Sequence, residues 1–126
     1  MTFALWTILA AAILPLLCTA AAKYGGGGGF DNNQPRVWEN TLTGWRARAN
    51  WAHRNHYEAF GPFAAAVLVA HWAHAPQGAI DVLAGTFIVA RVAYSFAYVL
   101  DWAAVRSALW AAGFVCVVLL FCVGLR

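Results

Sequence analysis

Apolar runs of about twenty residues occur four times in this chain. They cover residues 2–22, 57–75, 80–100 and 105–125. An α-helix rises about 1.5 Å per residue, so each run can cross the roughly 30 Å hydrocarbon core of a bilayer. Because 63% of the 126 residues are hydrophobic and only 10% are charged, a soluble domain could not bury this apolar surface. We therefore predict an all-α integral membrane protein with a single domain over residues 1–126.

The first run could instead be a secretory signal peptide. However, residues 1–7 contain no Lys or Arg, and three apolar runs would remain after cleavage. We therefore expect a retained span that Pro15 kinks. The second helix starts as a polar segment near Thr43, and the connections after spans two and three are short. Short connections make neighbouring helices antiparallel, which predicts an up-down four-helix bundle.

The first loop, residues 23–36, contains five consecutive glycines and then a polar segment. A phosphate-binding loop would need Gly-Lys-Ser or Gly-Lys-Thr after the glycines, and Phe30-Asp31 stands there instead. The glycines therefore predict a flexible link or a close approach of two backbones. Residues 31–35 could contact a ligand at the membrane surface, but a solvated turn is favoured.

The distribution of Lys and Arg predicts the orientation of the chain in its membrane. The second loop has neither residue, and Arg106 borders the third. The first loop and the start of the second helix carry Lys23, Arg36, Arg46, Arg48 and Arg54. We therefore expect both termini outside the cytoplasm and loops one and three inside. No basic stripe with exposed aromatic residues stands outside the apolar runs, which argues against nucleic acid as a partner.

Cysteine and histidine patterns favour neither a disulfide framework nor a metal site. Cys18, Cys116 and Cys122 lie in apolar runs without CxxC spacing, so we expect buried apolar side chains. Two sets of possible metal ligands exist: His71, His74 and Asp81, and His53, His56 and Glu58. The histidines of the first set are better explained as side chains at the membrane interface. The second set is scattered over a helix surface and could not converge on one ion, so we expect no metal at either place.

Charged residues directly precede or enter the apolar part of the second helix. Arg54 and Glu58 are spaced i, i+4 and share a helix face, with Asn55 beside them. Charged groups at the edge of a bilayer are costly unless they have partners, and this pattern indicates a binding site. The alternative is a juxtamembrane Arg–Glu pair that only anchors the helix.

A second polar set lies in spans three and four. Arg91, Tyr94 and Tyr98 are spaced i, i+3, i+7 and form one stripe along a helix. Arg106-Ser107 stands where span four begins, and a helix N-terminus favours an anion. A structural arginine and an interfacial anchor are the respective alternatives.

Together these residues suit a small ligand with several negative groups and one ammonium. Lys23, Arg54, Arg91 and Arg106 would be the cations and Glu58 the matched anion. Hydrogen bonds would come from Asn55, Tyr94, Tyr98 and Ser107. Glutathione fits this description, as would another anionic peptide or a lipid head group.

The membrane-associated proteins in eicosanoid and glutathione metabolism, the MAPEG family, have a second-helix signature that resembles one segment here. That segment is Ala52-His53-Arg54-Asn55-x-x-Glu58-x-x-x-Pro62-Phe63. The family's third- and fourth-helix motifs are similar to Arg91-Val92-Ala93-Tyr94-x-x-x-Tyr98 and Arg106-Ser107. The resemblance implies a homotrimer of four-helix bundles that binds glutathione between neighbouring subunits near the cytoplasmic face.

The same resemblance assigns roles to single residues. It implies that Arg54, Asn55 and Glu58 hold the charged ends of glutathione, and that Arg91, Tyr94 and Tyr98 line the pocket. Arg106 would stabilise the thiolate, with Ser107 as a helper, and Lys23 takes the place of a first-helix basic residue. These roles would make the protein a transferase or peroxidase that uses glutathione as co-substrate on hydrophobic electrophiles. A non-catalytic accessory subunit or lipid-binding scaffold is the alternative.

The chain also departs from the family pattern. Tyr94 stands where some eicosanoid-synthesising members have histidine, and the link from Tyr98 to Arg106 is one residue shorter than in the prostaglandin-forming branch. The glycine-rich loop is not part of the animal enzymes' pattern. The chain therefore looks like a bacterial branch of the family, and we expect it in the inner membrane.

Overall fold

The computed structural model describes residues 1–123, and all regular structure in this range is helical. The helices are α1 (Phe3–Tyr24), α2 (Pro35–Glu39), α3 (Gly44–Trp72), α4 (Gln77–Val99) and α5 (Ala103–Val123). The all-α prediction is confirmed. Five helices are present in this range rather than four, because the short α2 forms inside the first loop. The predicted end of span four, residues 124–125, lies outside the described residues.

Three of these helices, α1, α4 and α5, are long and apolar enough to cross a membrane. Helix α3 does not reach this standard, because its first half carries Arg46, Arg48, Arg54 and Glu58. The predicted span 57–75 corresponds to the second half of α3 and the turn that follows it. Helix α3 contacts α1, α4 and α5, so its polar half is held among the apolar helices.

Side-chain packing in the apolar part of the molecule is centred on α3. Phe63 of α3 and Phe87 of α4 stack with ring centroids 3.8 Å apart, and both are buried. Small residues such as Ala66, Ala70 and Ala84 surround them and allow close helix packing. Many large apolar side chains point outward instead, as lipid-facing surfaces require.

The turns after α3 and α4 have the same construction. The amide of Ala75 donates to the carbonyl of Ala70 (3.0 Å), and the amide of Trp102 donates to that of Ala97 (2.8 Å). These six-residue bonds are those of the Schellman motif, which requires a left-handed residue just after the helix. His74 (φ 53°) and Asp101 (φ 63°) take that position. The short connections predicted at both places are confirmed.

Glycines in the first loop are required for two different reasons. Gly27, Gly28 and Gly29 have φ of 78°, 99° and 90°, a region that other residues rarely adopt. A Cβ atom at Gly25 would collide with the ring of Trp45. The close approach at Gly25 is therefore made by a side chain, and not by a second backbone as expected. Residues 31–35 are exposed, with the amide of Asn33 donating to Asp31 (2.8 Å), as expected of a solvated turn.

Arginines at the start of α3 cap the ends of two other helices. Arg46 donates to the carbonyls of Ala22 (2.8 Å) and Lys23 (3.4 Å) at the end of α1. Arg48 donates to the carbonyl of Val99 (3.0 Å) at the end of α4. The last carbonyls of a helix lack intrahelical partners and carry partial negative charge, so a guanidinium stabilises them. Two of the cations used to predict orientation therefore also have a structural role.

Candidate functional site

Arg91 is the centre of a buried polar cluster between α3 and α4. It is only 2% exposed. Its Nε and Nη2 donate to Nδ1 of His56 (3.2 and 3.0 Å), and Nη2 also donates to Oδ1 of Asn55 (3.0 Å). Its guanidinium carbon lies 4.2 Å from the centroid of the Tyr94 ring, a cation–π distance. These hydrogen bonds and the aromatic contact offset part of the desolvation free energy that burying this cation costs.

His56 and Ser95 complete the cluster. Because Nδ1 of His56 accepts from Arg91, the ring proton lies on Nε2, which donates to Oγ of Ser95 (2.7 Å). The Ser95 hydroxyl in turn donates to the carbonyl of Arg91 (3.1 Å). The sequence suggested His56 only as a metal ligand, and Ser95 was not predicted as a site residue. The i, i+4 spacing of Arg91 and Ser95 was the signal that could have indicated their shared face.

Asn55 links the buried arginine to an exposed carboxylate. Its Oδ1 accepts from Arg91, and its Nδ2 donates to Oε2 of Glu58 (3.1 Å). This arrangement also fixes which way the Asn55 amide is oriented. Asn55, Glu58 and Arg91 therefore form one hydrogen-bonded group, with Asn55 between the other two.

Arg54 has a different partner from the one its spacing suggested. It does not pair with Glu58; its Nη2 donates to Oε2 of Glu39 in α2 (2.8 Å), which also accepts from Arg36 (3.2 Å). The Arg54–Glu58 anchor pair was therefore wrong, because α2 offers a nearer carboxylate. Burial raises the pKa of Glu39, but the hydrogen bonds from Arg54 and Arg36 outweigh burial, and the pKa lies below its ordinary value.

A cavity of about 190 Å³ opens between α3, α4 and α5 beside the polar surface. Asn55, Glu58 and Arg91 form its polar wall. Its apolar wall consists of Ala59, Pro62, Phe87, Trp110, Gly113, Phe114 and Val117. A ligand here would meet a cation and a carboxylate at one side and apolar groups at the other.

A smaller cavity of about 130 Å³ lies near the N-terminus of α5, lined by Tyr94, Arg106, Ser107 and Trp110. Trp110 lines both this cavity and the larger one. The guanidinium of Arg106 lies 4.5 Å from the Tyr98 ring, and Tyr98 packs edge-on against Tyr94 at 5.4 Å. The predicted stripe Arg91, Tyr94 and Tyr98 thus leads from the buried arginine to Arg106.

Lys23 and Arg54 lie away from this region. Lys23 Nζ sits 4.0 Å from the Phe30 ring and lines a third cavity of about 430 Å³. Thr19, Phe30, Pro35, Arg36, Glu39, His53 and Tyr57 complete its lining. Arg54 reaches this cavity through its ion pair with Glu39. One chain therefore brings six of the nine predicted residues to two adjoining cavities, with Tyr98 packed beside them. Lys23 lines a separate cavity, and Arg54 pairs with a residue of that lining.

Histidines and cysteines have local roles in the described part of the chain. Within residues 1–123, no three or more His, Cys, Asp and Glu residues are grouped as metal ligands. His71 bonds to Thr2 (2.8 Å) and donates to the Val67 carbonyl (2.8 Å) instead. Cys18 and Cys116 are buried as expected, whereas Cys122 is exposed on α5, so the expectation of burial was wrong there.

Comparison with known proteins gives one match. The model of the MAPEG family matches residues 3–126, essentially the whole chain. No curated protein and no solved structure matches. The matched region includes all five helices and every residue of the three cavities. The chain therefore belongs to the MAPEG family.

Proposed function

We propose that this protein is a membrane-bound, glutathione-dependent transferase or peroxidase that acts on hydrophobic electrophiles. One observation carries the proposal: a charged pair of opposite sign, Arg91 and Glu58, lines one cavity, and Arg106 lines the adjoining one. Glutathione has carboxylates, an ammonium and a thiol, so it needs groups of both signs and a place for the sulfur. Apolar walls in the same cavity would accept a lipophilic second substrate.

Recognition would use the polar wall of the larger cavity. Arg91 would bind a carboxylate of glutathione, because it forms no ion pair with an acidic residue within residues 1–123. Glu58 would bind the ammonium. Asn55 is hydrogen-bonded to both side chains and would fix the distance between them. Tyr94 and Tyr98 would form the aromatic floor that continues toward Arg106.

Chemistry would take place beside Arg106 and Ser107. A free thiol has a pKa of about 8.5, so little thiolate exists at neutral pH. Arg106 and Ser107 lie in the first turns of α5, where the guanidinium and the helix N-terminus both stabilise an anion. The thiol proton would pass to water, and the thiolate would then attack an electrophile held in the same pocket. A transferase would form a C–S bond as the leaving group departs with its electron pair, and a peroxidase would form an S–O bond as the O–O bond breaks and an alkoxide leaves.

Lys23 and Arg54 would join the site from a neighbouring subunit. Lys23 lines a cavity that is separate from the other two, and Arg54 adjoins it through Glu39. A glutathione site between two subunits would explain why the family motif includes both residues. We further propose a homotrimer in the bacterial inner membrane, as the family resemblance suggests, with both termini outside and loops one and three in the cytoplasm, as the distribution of Lys and Arg suggests. Together with α1, α4 and α5, the second half of α3 would complete the bundle of four spans.

Glu58→Gln tests recognition, because it removes the charge and keeps the shape. We expect glutathione affinity to fall about tenfold, the loss of a charge-assisted hydrogen bond. Calorimetric titration of the detergent-purified protein measures this. Asp31→Asn is the matched control, since it makes the same change in the exposed first loop. Equal affinity in Glu58→Gln and wild type would exclude the ammonium site.

A non-catalytic scaffold is the second candidate. Two observations favour it: Arg91 already has hydrogen-bond partners inside the chain, and an almost wholly apolar groove of about 380 Å³ lies between α1 and α4. Such a protein could bind lipid or serve as an accessory subunit. Copurification of one stoichiometric partner, with no effect of glutathione on the melting temperature, would favour this function over the enzyme.

A further inference from the structure

The buried cation Arg91 is held by neutral groups. In residues 1–123 the ion pairs join Arg36 and Arg54 to Glu39, and the side chains bonded to Arg91 are His56 and Asn55. A carboxylate partner would cancel most of the charge that an anionic ligand could use. Neutral acceptors orient a guanidinium and leave its positive charge in place.

The bonds around Arg91 close into a ring. The guanidinium donates to His56, His56 donates to Ser95, and Ser95 donates back to the Arg91 carbonyl. Each bond determines the next: donation by Arg91 makes Nδ1 of His56 an acceptor, so the ring proton lies on Nε2 and is donated to the Ser95 hydroxyl. Ser95 lies one helical turn after Arg91, so α4 holds both ends of the ring.

We propose that His56 and Ser95 are positioning residues, which hold Arg91 at the cavity wall as an orientated cation for the ligand's carboxylate. The assignment rests on the proposed glutathione site. Neither side chain lines that cavity, so each would act through Arg91 and not by touching the ligand.

Three histidine variants separate positioning from general stability. His56→Leu removes the acceptor, while His56→Asn keeps one, because Oδ1 of asparagine can take the place of Nδ1. We expect His56→Leu to weaken glutathione binding about tenfold or more, and His56→Asn to restore most of the affinity. His71→Leu is the control on the same helix, since His71 also uses both ring nitrogens but contacts Thr2 and Val67. It should lower the melting temperature and leave the affinity unchanged.

Ser95→Ala is the milder variant if His56→Leu does not fold. Without the hydroxyl, Nε2–H of His56 loses its acceptor and the ring is held less firmly against Arg91, so a weaker but measurable loss of affinity, severalfold, is expected. The proposal is overturned if folded His56→Leu or Ser95→Ala binds glutathione like the wild type. It is also overturned if His56→Asn binds as weakly as His56→Leu.

A ligand-free measurement keeps this test separate from the proposed function. Nitrogen-15 NMR of wild type should show a neutral His56 ring protonated at Nε2 and a slowly exchanging Nε–H of Arg91. Ser95→Ala should keep this tautomer, because Arg91 still donates to Nδ1, but should show faster exchange of the Arg91 Nε–H. These signals with no glutathione binding in wild type would refute the glutathione site but not the ring. A wild-type ring protonated at Nδ1 would refute the ring itself.

Discussion

Arg54 and Arg91 show how differently two arginines of one predicted site can be held. Arg91 is buried and contacts neutral acceptors, whereas Arg54 is exposed and pairs with Glu39 of α2. Their sequence environments gave no sign of this difference. Arg54 is one helical turn from Glu58 in the sequence, yet the decisive carboxylate is fifteen residues away.

Glu39 should make stability depend on pH in the acid range. Its folded pKa is below the ordinary value of 4.5, so the carboxylate stabilises the fold above that pH. The contribution is lost as the pH falls through the folded pKa. Glu39→Gln should therefore lower unfolding free energy by up to about 1 kcal/mol at pH 7 and have little effect well below the folded pKa. Thermal melts of both proteins across this range test it, and a constant difference would contradict the ion-pair account.

Some residue contacts followed from spacing and others did not. The i, i+3, i+7 stripe correctly placed Arg91, Tyr94 and Tyr98 along one line, because helix geometry alone determines it. The bond between His56 and Arg91 depends on how α3 and α4 pack, and a single sequence does not encode that register in a readable pattern. Local chemistry was predictable, and contacts between helices were not.

At the scale of elements, the apolar runs predicted helices well, while α2 was missed. Helix α2 has only five residues, too few for a hydrophobic period. It is held by contacts with other segments: Trp38 is buried against Phe30, and Glu39 pairs with Arg54. Pro35 at its first turn was the available local signal.

The turn after α3 allows a test of how the C-terminus of this helix is stabilised. His74 is exposed and left-handed, a conformation that costs a non-glycine residue about 1 kcal/mol. His74→Gly should raise the unfolding free energy by about 0.5 kcal/mol or slightly more, after the greater flexibility of unfolded glycine is subtracted. His74→Ala should not stabilise, because it keeps the Cβ atom. Denaturant melts of the three proteins measure this, and equal stability of the glycine and alanine variants would contradict the Schellman assignment.

At the scale of the whole molecule, polar groups are distributed on two sides of α3. Asn55 and Glu58 line the larger cavity formed with α4 and α5, while His53 and Tyr57 line the cavity formed with α1 and the first loop. Each chain thus presents two polar sides in an otherwise apolar protein. This is the arrangement that a ring of subunits would need to build sites between neighbours, and it supports the proposed trimer.

Arg106 is the residue on which the proposed chemistry depends most. Arg106→Ala should lower turnover at least about a hundredfold, the scale of losing one stabilising donor, and weaken glutathione binding much less. Arg48→Ala is the matched control, since it removes the same charge but caps the end of α4. It should reduce thermal stability and leave turnover of the folded protein unchanged.

The most direct measurement is an ultraviolet titration of bound thiolate in detergent-purified protein at neutral pH, with wild type, Arg106→Ala and Arg48→Ala. The proposed function predicts a thiolate signal that saturates with glutathione in wild type and Arg48→Ala and disappears in Arg106→Ala. No saturable signal in folded wild type would contradict a glutathione-activating enzyme. An undiminished signal in Arg106→Ala would show that another group stabilises the thiolate.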